Sequence, residues 1–255
     1  MDNFRKDFIV KFKNFLESNN SIHCIWEGGS AATGYLDEYS DLDLGVICDD
    51  KKIEDNFDKI EKYLQSNYGI KEKFRTPEPS WHGHSQCYYL LESTPEMFYV
   101  DILIEKLSAG NRFMESDRHG KSIVWFDHKR LFDPTPTPEA EVLKKGKRFY
   151  NLLSDSTWIL LLDVKKQILR KNTVDAFVLY HQLINRMAYL WNLKYRPAKS
   201  DFGLRYTHRD FPTETVEWLQ DILKVDNLDK MLEKLEIIGK KYAELLAELK
   251  EIWGS

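Results

Sequence analysis

Two short groups of residues near the N-terminus have the types and spacing that could support chemistry. Gly28, Gly29 and Ser30 form a turn that can bring backbone N–H groups and a hydroxyl close to an anion such as phosphate. Asp41 and Asp43 open the next apolar run. In a strand these two side chains point the same way, so their carboxylates repel each other unless a cation lies between them. Because Mg²⁺ prefers carboxylate oxygens, the pattern predicts a phosphate turn beside a magnesium site.

Two strands and a short helix must position these groups. The β-prone run 22–26 stops at the two glycines, and the second apolar run covers residues 41–48. Ala31 and Ala32 suit a short helix, whose positive N-terminal end would face the same anion. The stretch therefore predicts a strand, a turn, a short helix and a second strand.

The spacing of Gly29-Ser30, ten residues and Asp41-Leu42-Asp43 resembles the signature of the DNA polymerase β-like nucleotidyltransferase superfamily. Within that superfamily, the nearest likeness is to the aminoglycoside and lincosamide nucleotidyltransferases. The resemblance covers about residues 20–105. It implies that Gly29 and Ser30 hold the terminal phosphates of a nucleoside triphosphate, and that Asp41 and Asp43 hold two Mg²⁺ ions.

A third acid, Asp101, interrupts an apolar run. Phe98, Val100, Ile102 and Ile104 share one face of the predicted strand 97–105, and Asp101 lies on the other face. In the superfamily a third carboxylate comes from a strand in this position. The resemblance therefore implies that Asp101 is a catalytic residue and a metal ligand, although pairing with a neighbouring lysine or arginine is the alternative.

The rest of the chain predicts two domains. Three prolines in residues 132–138 exclude a helix interior or a central strand, and they separate an α/β domain, residues 1–134, from a helical domain, residues 135–255. The predicted fold class is α/β, with a small mixed-sheet nucleotidyltransferase domain followed by an all-α helical bundle. Further predicted elements are helices at 1–16, 51–65, 174–193, 214–223 and 228–253, strands at 70–74, 86–91 and 122–126, and a helix after Pro138 that breaks near residues 154–156.

Charge is distributed unevenly between these parts. Residues 1–134 hold 17 lysines and arginines against 24 acids, whereas residues 135–255 hold 20 against 17. Cations for a triphosphate should therefore come from the second part. The irregular segment 196–209 carries Lys199 and Arg205, which are predicted nucleotide-binding residues; the alternative is a structural loop that forms salt bridges with Asp201 and Asp210.

The composition limits the class of protein. No apolar run is long enough to span a bilayer, and lysines interrupt the first 16 residues where a signal peptide would be apolar. The odd number of cysteines, three, favours reduced thiols and a cytoplasmic location.

These features together predict an Mg²⁺-dependent enzyme. We expect it to transfer a nucleoside monophosphate, AMP from ATP, to a hydroxyl of a small molecule and to release pyrophosphate. The resemblance implies an antibiotic such as an aminoglycoside or lincosamide as the acceptor. The alternatives are transfer to an RNA end or to a protein, and a non-catalytic nucleotide-binding module. The seven-residue repeat in residues 228–252 predicts a bundle seam or a homodimer contact.

Overall fold

The protein, described by a computed structural model over residues 2–254, divides into two compact units. The first unit ends at Pro136 and the second begins at Thr137, within the proline-rich segment. In the part of the chain that the structure describes, no helix is both long enough and apolar enough to cross a membrane.

A mixed sheet forms the centre of the first unit. Its order is β3-β4-β5-β2-β1-β6. Strands β2 and β5 run parallel, and the other neighbouring strands run antiparallel. This sheet confirms the predicted α/β class. The strands in the described residues are β1 (Ile22–Glu27), β2 (Leu42–Cys48), β3 (Ile70–Arg75), β4 (Ser85–Leu91), β5 (Tyr99–Lys106) and β6 (Ile123–Asp127).

Two of the helices in the first unit, one from each of the segments 2–17 and 53–68, cover one face of this sheet. The described helices of the first unit are α1 (Asp2–Glu17), α2 (Gly29–Thr33), α3 (Ile53–Tyr68) and α4 (Ser116–His119). Phe12 of α1 and Ile60 of α3 belong to the same buried cluster as Leu44 of β2 and Ile102 of β5. Alternation along the strands turns the residues between these core positions to the opposite face. We call this opposite side the carboxylate face, because Asp43 and Asp101 lie on it.

The second unit consists of helices packed around a separate core. They are α5 (Glu139–Leu169), α6 (Thr173–Tyr195), α7 (Thr207–Asp210), α8 (Thr213–Leu223) and α9 (Leu228–Trp253). Met231, Leu235, Ile238, Tyr242 and Leu245 form a buried stripe along α9. These residues belong to the predicted seam, which therefore packs inside this unit.

The predicted break in the helix after Pro138 is wrong. Helix α5 continues through residues 154–156 and is 31 residues long. The Ser156 hydroxyl donates a hydrogen bond to the Leu152 carbonyl oxygen, so it is satisfied within the helix. Leu153, Thr157 and Leu160 continue the buried stripe across this point. Packing of the stripe therefore outweighs the low helix propensity of serine and aspartate.

Candidate active site

The parallel pairing of two central strands brings two predicted carboxylates together. Asp43 of β2 lies directly opposite Asp101 of β5 in the register. Neighbouring strands are about 4.8 Å apart, so these side chains are adjacent on the same face. Asp41 lies immediately before β2, and its charge is close enough to help raise the pKa of Asp43.

Gly29 lies against Asp43. Its φ of +53° is in the left-handed region, and a Cβ at this position would lie 1.7 Å from Oδ2 of Asp43. The Gly28 backbone N–H donates a hydrogen bond to the Asp43 carbonyl oxygen at 2.9 Å. Only glycine therefore allows the backbone at the end of β1 to approach this carboxylate so closely.

Ser30 follows in the short helix α2. Its Oγ atom is buried and has no hydrogen-bond partner in the described residues. A buried hydroxyl without a partner is costly, so its position has to be explained by something other than packing. A phosphate oxygen is the kind of acceptor that would satisfy it.

The carboxylates disfavour one another's charge. Burial, together with the nearby charges of Asp41 and Asp101, raises the pKa of Asp43 to about 8. Burial also raises the pKa of Asp101 to about 6, although a hydrogen bond from Gln86 opposes this shift. Burial, followed by a hydrogen bond to Asp41, raises the pKa of Tyr99. The arrangement concentrates negative charge that a bound cation would stabilise.

The sequence did not reveal Gln86 as a site residue. Its Nε2 atom lies 2.8 and 2.9 Å from the two carboxylate oxygens of Asp101. Its Oε1 atom lies 3.1 Å from Nε2 of His82, whose Nδ1 accepts a hydrogen bond from the His84 backbone N–H at 3.2 Å. The His82 ring is thereby held as the tautomer that donates from Nε2 to Gln86. Gln86 is thus a positioning residue for Asp101.

A buried ion pair, also missed, anchors the backbone before β2. Arg5 of α1 lies 2.6 Å from a carboxylate oxygen of Glu27, and its Nη1 donates to the Asp41 carbonyl oxygen at 2.6 Å. Trp125 Nε1 donates to the other oxygen of Glu27 at 3.3 Å. These contacts hold the residue from which Asp41 projects. They join segments far apart in the chain, so the sequence carried no local signal for them.

Lys199 and Arg205 lie in the second unit. Nζ of Lys199 is 3.4 Å from Oδ2 of Asp210, which also lies 2.7 Å from Nη1 of Arg196. The Arg205 guanidinium lies 4.6 Å from the centre of the Phe202 ring. These contacts belong to the loop itself, and a role of either side chain in phosphate binding stays a prediction.

The donor set fits a hard cation only in part. In residues 2–254, no three side chains of His, Cys, Asp or Glu are gathered closely enough to hold a metal ion as they stand. Asp41, Asp43 and Asp101 offer carboxylate oxygens, which are the donors that Mg²⁺ prefers. Their oxygen chemistry and mutual repulsion nevertheless match what Mg²⁺ would stabilise, after loss of a proton and a small movement of the carboxylates.

A family model gives the class of the first unit. Residues 9–96 match the model described as the nucleotidyltransferase domain. They contain Gly29, Ser30, Asp41 and Asp43 of the geometry above. The chain therefore carries a nucleotidyltransferase domain of the polymerase β-like type, as the resemblance predicted. The protein is accordingly a nucleotidyltransferase enzyme.

Solved structures of three other proteins share a distant likeness. An aminoglycoside 6-adenyltransferase from Bacillus subtilis is 13% identical with a TM-score of 0.34, and the match covers 93% of this chain and 88% of that one. A nucleotidyltransferase-like protein from Exiguobacterium sibiricum is 13% identical with a TM-score of 0.37, covering 98% and 75%. The STING-associated CdnE c-di-GMP synthase from Capnocytophaga granulosa is 15% identical with a TM-score of 0.32, covering 96% and 80%. A search of curated protein sequences returned no significant match.

Proposed function

We propose that the protein transfers AMP from ATP to a hydroxyl group of a small molecule and releases pyrophosphate, in a reaction that requires Mg²⁺. The observation that carries the proposal is the register of β2 and β5, which sets Asp43 beside Asp101 while Gly29 lies against Asp43. A carboxylate pair next to a glycine-serine turn suits a triphosphate and its counter-ions.

The chain's own residues supply the binding and proton transfer. Gly29 and Ser30 hold the terminal phosphates through a backbone N–H and the Ser30 hydroxyl, for which no protein acceptor is present in the described residues. The acceptor oxygen forms a bond to the α-phosphorus, and the bond to the pyrophosphate oxygen breaks. Asp101 takes the proton of the attacking hydroxyl.

Asp41, Asp43 and Asp101 would hold the metal. Bound Mg²⁺ would polarise the acceptor hydroxyl and neutralise charge on the departing pyrophosphate. Gln86 keeps Asp101 in the orientation that both tasks require, because it contacts both carboxylate oxygens.

The strongest competing function is transfer to an RNA end, which the basic composition of the second part of the chain favours. The two acceptors respond differently to salt. An RNA acceptor releases counterions on binding, so its affinity should fall steeply between low and physiological salt. The affinity for a small acceptor should change little with salt at saturating ATP.

Label transfer tests the proposal directly. The protein is incubated with each α-labelled nucleoside triphosphate, Mg²⁺ and separate pools of small hydroxyl compounds, RNA and protein. We expect label from ATP in the small-molecule pool, formation of pyrophosphate, and loss of both after chelation of Mg²⁺. Label in RNA or protein would replace the acceptor assignment, and no pyrophosphate with any pool would refute the activity.

Asp43→Asn provides the matched variant. It removes one charge and keeps the shape, so we expect pyrophosphate release to fall by roughly a thousandfold while the fold remains intact. Asp58→Asn makes the same charge change at an exposed position of α3 and should leave the rate unchanged. Wild-type turnover by Asp43→Asn would refute the assigned role of the carboxylates.

A further inference from the structure

The carboxylate face continues beyond Asp101 as a row of aromatic rings. Phe74 lies opposite Tyr88 in the register of β3 and β4, and Tyr88 lies opposite Asp101 in the register of β4 and β5. The Phe74 and Tyr88 rings are 6.2 Å apart and inclined by only 23°, and Tyr99 lies 6.3 Å from Tyr88. We call Phe74, Tyr88 and Tyr99 the aromatic row.

Core packing does not account for this row. Phe74 is 58% exposed, and Tyr88 and Tyr99 are partly exposed. The next residue, Arg75, turns to the other face, where its guanidinium lies 3.7 Å from the centre of the Phe57 ring in α3. An exposed aromatic surface that adjoins buried carboxylates is typical of a ligand site.

The reaction geometry indicates which ligand would lie there. This step rests on the proposed function, in which Gly29 and Ser30 hold the pyrophosphate end of the nucleotide. These residues follow β1, and β1 lies on the opposite side of β2 from β5. Phosphoryl-type displacements are in line, so the attacking oxygen approaches from the side opposite the leaving group. The acceptor therefore approaches from the side of β5 and β4, where the aromatic row begins.

Charge on the same face narrows the chemistry of the acceptor. Glu72 shares the face of Phe74 by strand alternation and adds to the negative charge of the carboxylates. Lys73, by contrast, lies 2.6 Å from Glu61 of α3 on the helix-covered side. Arg75 likewise lies 2.8 Å from a helix residue, Glu54. A polyanion would meet acidic groups here, whereas an ammonium group would be attracted by the ring faces and carboxylates.

We propose that the aromatic row is the acceptor subsite, in which a ring of the acceptor stacks on Tyr88 and Phe74. The acceptor class is a small hydroxyl-bearing ring compound without negative charge. Tyr88, next to Asp101, orients the reacting hydroxyl toward the carboxylates, and Phe74 extends the platform outward.

Binding of matched probes tests the subsite. Tyramine presents a phenol ring with a cationic tail, and 4-hydroxyphenylacetate presents the same ring with an anionic tail. Both are titrated, by ligand-observed NMR, into the protein with Mg²⁺ and a non-hydrolysable ATP analogue, and a single-stranded oligoribonucleotide is titrated in parallel. We expect tyramine to bind more tightly than 4-hydroxyphenylacetate. Phe74→Ala should lower the affinity for tyramine by roughly three- to tenfold. The matched variant is Trp158→Ala, which removes an exposed ring in α5 and should leave tyramine binding unchanged.

Pyrophosphate release separates this inference from the proposed function. Release by the wild type is measured with ATP, Mg²⁺ and the pool of small hydroxyl compounds. Failure of the wild type to release pyrophosphate with any acceptor pool would refute the proposed function. Normal release together with no tyramine binding, with equal tyramine binding by the wild type and Phe74→Ala, or with tightest binding of the oligoribonucleotide would overturn the subsite.

Discussion

Substitution of Gly29 by alanine should displace the Asp43 carboxylate and leave the fold intact. A Cβ at position 29 would lie 1.7 Å from Oδ2 of Asp43 and 2.6 Å from its Cγ. Ordinary contact begins at about 3.4 Å, so the carboxylate oxygen has to retreat by roughly 1.7 Å. The clashing atoms belong to the Asp43 side chain, which can rotate. The fold should therefore survive, but the carboxylate should move from its position.

The expected magnitude follows from this displacement. A misplacement of about 1 Å at a reacting centre costs roughly a hundredfold in rate, which corresponds to about 2.7 kcal/mol. Gly29→Ala should therefore lower Mg²⁺-dependent pyrophosphate release by a hundredfold or more. The left-handed backbone adds a stability cost of about 1 kcal/mol, because alanine rarely adopts a φ of +53°.

Gly34→Ala is the matched control. Gly34 also has a positive φ, +75°, but a Cβ there would have no atom within 4 Å. Both variants should lose about 1 kcal/mol of unfolding free energy in urea, whereas only Gly29→Ala should lose activity. Wild-type pyrophosphate release by Gly29→Ala, or an equal loss of activity in Gly34→Ala, would refute the argument that this glycine sets the position of Asp43.

Three further predictions concern other parts of the molecule. Gln86→Leu keeps the size of the side chain but removes the hydrogen-bond donor to both oxygens of Asp101. The kcat for pyrophosphate release should therefore fall about tenfold or more, with little change in the KM for ATP. A change confined to KM would contradict a positioning role. Lys199→Ala and Arg205→Ala should each raise the dissociation constant of ATP by roughly ten- to a hundredfold in a calorimetric titration. Unchanged ATP affinity with a lower melting temperature would show that these side chains only stabilise the loop. Burial raises the pKa of Glu105 to about 8, above its value in the unfolded chain, so the wild type loses stability as the pH rises from about 5 through 8. Glu105→Gln cannot ionise, and its stability relative to the wild type should increase by about 2–4 kcal/mol between pH 5 and pH 9 in urea unfolding; a difference independent of pH would contradict this.

The sequence by itself determined the features that depend on neighbours in the chain. The glycine-serine turn and the Asp41–Asp43 pair are close in sequence. The apolar runs and the glycines between them predicted the order of strand, turn and strand. Alternation along residues 97–105 was sufficient to separate Asp101 from the core face, because side chains of a strand alternate with a period of two. The same period placed Val100, Ile102 and Ile104 in the core, where they are fully buried.

Only the tertiary structure decided which strands are neighbours and what each side chain meets. The parallel pairing of β2 with β5 joins Asp43 to a residue 58 positions later, and no local pattern encodes this register. The contacts of Gln86 with Asp101 and of Arg5 with Glu27 likewise cross between elements. The unbroken helix α5 illustrates the same limit, since local propensity favours a break at residues 154–156 and burial of Leu153 and Leu160 prevents it. Propensity acts within a few residues, whereas the free energy of packing depends on surfaces brought together from the whole chain.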